Sequence, residues 1–133
     1  MLVTMKEMLA HAKANKYAIP AFDISNYEMM RAVLDVCEEE RSPALLMGLG
    51  VDLTGKGLPL ITSMVRAASE FYTVPVCFHL DHATDLASIK AALDAGFSSV
   101  MYDGSKACVK GCLDRCKVGG MIQMEAYGYR IKL

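Results

Sequence analysis

Apolar positions along the first hundred residues alternate between two rhythms, a helical stripe and a short continuous run. Thr4-Met-Lys-Glu7 has capping-box spacing, in which the Thr hydroxyl caps a free N–H and Glu7 reaches back. It predicts a helix of about a dozen residues with Met5, Met8, Leu9 and Ala12 on one face, ending near Asn15. Tyr17-Ala-Ile-Pro-Ala-Phe22 then reads as a buried strand, with Pro20 suited only to an edge or a strand end because it cannot donate to a ladder. Ser25-Asn-Tyr-Glu28 repeats the capping-box spacing and predicts a second helix, its stripe formed by Met29, Ala32, Val33, Val36 and Cys37. Glu38, Glu39 and Glu40 fall in its last turn, against the helix dipole.

The same alternation continues. Pro43-Ala-Leu-Leu-Met47 predicts a second strand closed by Gly48 and Gly50, followed by a loop over 51–57. A third helix is expected over 58–71, with Pro59 tolerated in its first turn. Val74-Pro-Val-Cys-Phe-His-Leu80 predicts the third strand. A helix over 85–95 follows, with Thr84 or Asp85 as N-cap and Gly96 as C-cap, and Ser98-Ser-Val-Met-Tyr102 predicts the fourth strand. Strands separated each time by helices point to an α/β chain with a parallel sheet of right-handed βαβ units. Two architectures fit: a partial TIM (β/α)8 barrel of about the first four βα units, or a small doubly wound sheet. A whole barrel takes about 200–250 residues or more, and this chain has 133, so length favours the doubly wound sheet.

Composition narrows the class. With 53% apolar and 22% charged residues, and 14 basic against 15 acidic side chains, the chain is too apolar and too evenly charged for a disordered tail. The balance leaves no footprint for nucleic acid or an anionic membrane, and no apolar run reaches the ~20 residues of a bilayer span. Five cysteines, an odd number, suit reduced thiols, so a cytoplasmic location is expected. The charge is uneven: residues 106–133 hold six basic and two acidic side chains and three of the five cysteines. Cys108, Cys112 and Cys116 are four apart; one helix face of small buried thiols explains them more simply than a zinc site, which draws on Cys pairs from separate turns.

The segment that could carry chemistry is Phe78-His79-Leu80-Asp81-His82-Ala83-Thr84-Asp85. It lies where a parallel strand ends before its helix, the end at which ligands sit in such folds. Strand alternation puts His79 and Asp81 on one face, and His82 falls just past the strand, free to point into the mouth. Two imidazoles and a carboxylate this close can ligate a divalent metal with an acid/base beside it. The plainer alternative is a core histidine bonded to a backbone carbonyl and an Asp acting as helix cap, a task for which Asp85 is already available. Spacing alone leaves both open.

Val74-Pro-Val…His79-Leu-Asp-His82, then Ile89-Lys…Ala92-Leu-Asp-Ala-Gly-Phe97-Ser-Ser-Val-Met101-Tyr-Asp-Gly-Ser105, resembles the class II, zinc-dependent ketose-bisphosphate aldolases that act on fructose and tagatose 1,6-bisphosphates. The first helix, Tyr17–Phe22, the second capping box and Ser42-Pro-Ala agree in order, so the resemblance covers about residues 1–105. It implies a TIM-barrel lyase of carbohydrate metabolism that cleaves a sugar bisphosphate reversibly to dihydroxyacetone phosphate and glyceraldehyde 3-phosphate with Zn2+. By the resemblance, Asp81 matches the acid/base, His82 one of three zinc histidines, and Asp103 a carboxylate that can hold the metal in a second position. Zinc would stabilise the enediolate left by cleavage.

The sequence also departs from the family. Asp23 stands where the family usually has Asn, and Met47-Gly-Leu-Gly50 lacks the family's serine. Counterparts of the other two zinc histidines, the glycine-rich phosphate loop and the late Asn-x-Asp motif are missing; beyond His79 and His82 the only histidine is His11, expected at the surface of the first helix. After Ser105 the resemblance stops, and Lys106-Ala-Cys-Val-Lys-Gly-Cys-Leu-Asp-Arg-Cys-Lys117 replaces an acidic helix start. Residues 1–105 are therefore expected to form the N-terminal half of an aldolase-type barrel. Residues 106–133 would be a divergent tail produced by a frameshift, an altered end or a misassigned gene. Two function classes follow: a class II aldolase-type enzyme with an incomplete active site, or a non-catalytic truncated α/β module. Half a barrel exposes strand edges, so the chain is expected to form homo-oligomers, bind a partner or aggregate.

Overall fold

The computed structural model describes residues 1–104, so the expectations for residues 106–133 lie outside the described part. Helix α1 spans Met5–Asn15 and opens on the expected capping box, with the Thr4 side chain accepting from the Glu7 N–H and Glu7 accepting from the Thr4 N–H. Strand β1 is short, Ala21–Asp23, beginning directly after Pro20; the expected strand from Tyr17 does not form, since the ring removes the donor that a ladder would need there. Helix α2 spans Tyr27–Glu39.

Its cap is Asn26 and not Ser25: the Asn26 side chain accepts from the Met29 N–H at 2.9 Å, while the Ser25 hydroxyl turns to the Met29 sulfur. The buried stripe of α2 differs as well. Met30, Leu34 and Cys37 are buried against the sheet, whereas Met29 and Val36 face outward. Both stripes have helical spacing, so periodicity could not choose between them; contact with the sheet does.

Strand β2 (Ala44–Leu49) runs through Gly48 and does not end there. A Cβ at Gly48 would meet Leu53 Cδ1 at 3.3 Å and the Phe97 ring at 3.4 Å, so the glycine makes room for that ring. Helix α3 is Gly57–Phe71, β3 is Val76–Ala83, α4 is Leu86–Ala95 and β4 is Ser99–Tyr102. Asp85 caps α4 by accepting from the Ser88 N–H at 2.8 Å, and Gly96 closes it in the left-handed conformation.

The four strands form one parallel sheet in the order β1-β2-β3-β4. This order decides between the two architectures. A doubly wound sheet reverses its strand order at a switch point, whereas right-handed crossovers that always step the same way put every helix on one face. The chain therefore forms part of a TIM-type barrel, and the length argument for a doubly wound sheet was misleading.

Pairing registers sort the two faces. Leu46, Phe78, Leu80 and Val100 join Leu34, Val65, Ile89 and Ala92 in the main core beneath the helices, where Phe78 stacks on Phe97 at 3.8 Å between ring centroids. On the other face lie Leu45 beside Cys77, then Asp23, Met47, His79 and Ser99 at one level, then Leu49 beside Asp81. Its lower part is closed by α1, whose Met8 packs with Leu45 and Cys77, flanked by Val3, Met5, Ile19 and Met47. The inner face thus grades from an apolar floor to a polar mouth.

Candidate functional site

The mouth is built on an irregularity in β3. Leu80 pairs with Val100 and Ala83 with Tyr102, so β3 advances three residues while β4 advances two. One extra residue on β3 makes a β-bulge at Asp81 and His82, and His82 adopts a left-handed backbone with φ of 50°. A regular strand would turn Asp81 inward and His82 toward the helices. With the bulge, Leu80 and Ala83 both enter the helix-side core, and Asp81 and His82 emerge together at the C-terminal end of the sheet.

There the His82 imidazole stands between two carboxylates. Its Nδ1 lies 3.4 Å from Asp103 Oδ2 and its Nε2 lies 3.6 Å from Asp81 Oδ2. The His82 side chain is 63% exposed, against 16% for Asp81 and 26% for Asp103. Asp103 follows β4 directly and its N–H donates to the Ala83 carbonyl at 2.7 Å, which carries the ladder one residue past the strand. The sequence reading named these three residues, and the structure brings all three together.

His79 belongs elsewhere. It shares the Asp81 face as expected but is buried among the inner side chains, with Nδ1 2.8 Å from the Ser99 hydroxyl, which in turn donates toward the Met5 sulfur. Burial pushes its pKa down, with the Asp81 carboxylate opposing and His82 adding to the shift. It is an interior imidazole, close to the plainer alternative except that its partner is a hydroxyl and not a backbone carbonyl. The role of Ser99 was not foreseen; its signal was present in the register of Ser98-Ser99 against the third strand. His11 is exposed on α1 and bonds the Tyr17 hydroxyl at 2.8 Å.

Zn2+ takes imidazole and carboxylate donors, usually three from the protein at a catalytic centre. His82 and Asp103 suit such an ion in kind. In number they fall short: among the described residues no group of three or more His, Cys, Asp or Glu side chains is arranged to hold a metal ion.

Comparison with known proteins gives the family. The family profile described as "Fructose-bisphosphate aldolase class-II" matches residues 3–119, and the chain belongs to that family. The match runs past Ser105, where charge and cysteine content change. Over 113 residues the chain is 43% identical to the 6-phospho-5-dehydro-2-deoxy-D-gluconate aldolase of Halalkalibacterium halodurans, covering 82% of this chain and 39% of that protein. Over 107 residues it is 45% identical to the fructose-bisphosphate aldolase of Geobacillus stearothermophilus, covering 78% and 37%. Among solved structures, the YdjI aldolase from Escherichia coli K12 superposes with a TM-score of 0.82 at 27% identity, over 90% of this chain and 45% of that one. The fructose-bisphosphate aldolase from Campylobacter jejuni gives 0.78 at 25%, over 88% and 42%. The chain thus spans less than half the length of these relatives.

Proposed function

We propose that this chain carries the acid/base corner of a class II aldolase-type lyase, which cleaves a ketose 1,6-bisphosphate reversibly to dihydroxyacetone phosphate and glyceraldehyde 3-phosphate. The observation that supports this most is the bulge that presents Asp81 and His82 side by side at the C-terminal mouth of β3 in a chain of this family. In cleavage the Asp81 carboxylate accepts the proton of the hydroxyl beside the breaking C–C bond; in condensation it returns it. Its position near the rim, mostly shielded, gives it a fixed direction and access to a substrate arriving from solvent. His82, with Asp103 close by, is the residue that would hold Zn2+, and the ion would supply Lewis-acid stabilisation of the enediolate. Carboxylates at Asp81 and Asp103 make the bare mouth repel an anionic sugar, so phosphate binding needs positive charge to offset them.

The described residues supply one imidazole to the mouth, and the isolated chain is accordingly proposed to turn over little substrate. The alternative, a non-catalytic α/β module that self-associates or binds a partner, is favoured by β1, whose three residues are all exposed at a sheet edge. Among the described residues no helix is long and apolar enough to cross a membrane, and a cytoplasmic location belongs to the proposal. So does a boundary near residue 105, which sequencing the source DNA across codon 106 would test. Fructose 1,6-bisphosphate cleavage with added Zn2+, compared between the chain and Asp81→Ala, tests the function. Weak turnover lost in the variant supports the reading; equal turnover in both removes Asp81 from the chemistry, and strong zinc-dependent turnover overturns the proposed impairment.

A further inference from the structure

We propose that Asp103 is a positioning residue for His82: its carboxylate takes the imidazole Nδ1–H and leaves Nε2 as the lone-pair nitrogen at the mouth. The consequence for metal binding rests on the reading of His82 given above, whereas the geometry stands without it. The resemblance implies that Asp103 can hold the metal in a second position; the geometry adds its contact with the ring of its neighbour.

A neutral imidazole has one N–H, and ionised carboxylates only accept. Two carboxylates therefore compete for one proton. Asp103 Oδ2 lies 3.4 Å from Nδ1, a long hydrogen bond, while Asp81 Oδ2 lies 3.6 Å from Nε2, too far to be one. The competition favours Nδ1–H. The Asp103 backbone is held as well, its N–H tied to the Ala83 carbonyl at 2.7 Å just beyond the bulge. The bulge matters here as well: it turns His82 away from the helix-side core to the mouth, where Asp103 follows β4. The ring itself is 63% exposed and has little packing to hold its rotamer, so the carboxylate supplies the orientation. A histidine whose second nitrogen is held this way has a defined tautomer and a more basic free nitrogen for a metal.

The test uses the 133-residue chain labelled with 15N. Long-range 1H–15N correlation spectra at pH 8 assign the proton of the His82 ring directly, with no metal and no turnover required. Nδ1–H in the wild type is expected, a shift toward Nε2–H in Asp103→Ala, and retention in Asp103→Asn, whose side-chain oxygen still accepts. Titrated with Zn2+, Asp103→Ala should bind about 10–100-fold more weakly, with Asp103→Asn largely restored. An Nε2–H ring in the wild type overturns the proposal, and this measurement needs no folded variant. An Asp103→Ala chain that keeps its tautomer yet loses Zn2+ overturns it too, since Asp103 would then be a direct ligand. If the wild type holds Nδ1–H but takes up no Zn2+, the positioning role stands and the metal reading of this chain fails.

Discussion

Leu80 and Ala83 lie three positions apart on β3 and yet face the same core, at 2% and 5% exposure. An uninterrupted strand would put them on opposite faces. The bulge between them is what places Asp81 and His82 at the mouth, and its local strain is concentrated in the left-handed backbone of His82.

That strain is measurable. A residue with a Cβ in the left-handed region costs about 1–2 kcal/mol relative to its usual conformations, and glycine avoids this. His82→Gly and His82→Ala both remove the imidazole, so comparing them isolates the backbone. Urea denaturation should find the Gly variant more stable by about 1 kcal/mol, the reverse of the ordinary ranking. Equal stabilities, or a more stable Ala variant, would show that the bulge is unstrained.

Gly57, at the start of α3, is held to glycine by packing and not by its backbone angles. A Cβ there would stand 2.0 Å from the Asp52 carbonyl oxygen, a backbone atom that cannot swing aside. Gly57→Ala should therefore destabilise the fold by roughly 1–3 kcal/mol, although alanine is the better helix former. A midpoint in urea equal to the wild type would contradict the packing of the turn over 50–56 against this helix.

Acid should weaken the fold in two windows. The Glu38 carboxylate accepts from the Thr73 hydroxyl and from the backbone N–H groups of Thr73 and Val74, at 2.5, 2.9 and 3.1 Å, and these bonds hold its pKa below the ordinary 4.5. Because the folded pKa is the depressed one, its stabilisation is full above the unfolded value and disappears as pH falls through the folded value. Burial lowers the His79 pKa in the same sense, so a loss that begins near 6.5 precedes it. Urea midpoints should fall first below about pH 6.5 and again below about pH 4.5; Glu38→Gln should flatten only the second fall. A Glu38→Gln profile parallel to the wild type at acid pH would assign the carboxylate no linkage.

Cys77 should be silent toward thiol reagents in the native chain. It is fully buried, and burial pushes its pKa up to about 11, against a weaker opposing bond from Ser98. At pH 8 its thiolate fraction would be about a thousandth even if a reagent could enter. Iodoacetamide labelling followed by peptide mapping should find the Cys77 peptide modified only after denaturation. Rapid native labelling would mean that α1 opens from the inner face.

Local signals in the chain were sufficient for where the helices lie and for which residues stand at the mouth. Thr4 and Asp85 cap where short-range chemistry demands, and Asp81, His82 and Asp103 were nameable because strand end, residue type and family order coincide. What local signals left undecided depends on neighbours distant in sequence. Two equally periodic stripes of α2 differ only in which meets the sheet, and Pro20 shortens β1 only because Ala21–Asp23 pairs with β2. Barrel against doubly wound sheet is a matter of strand order, which no single βα unit contains. The separation of His79 from His82 is of the same kind. His82 falls within β3 and not past its end, and a single extra residue opposite β4 sends it to the mouth while Ser99 retains His79 inside. Pairing register is set by long-range hydrogen bonds and face burial, so only the assembled sheet could decide it.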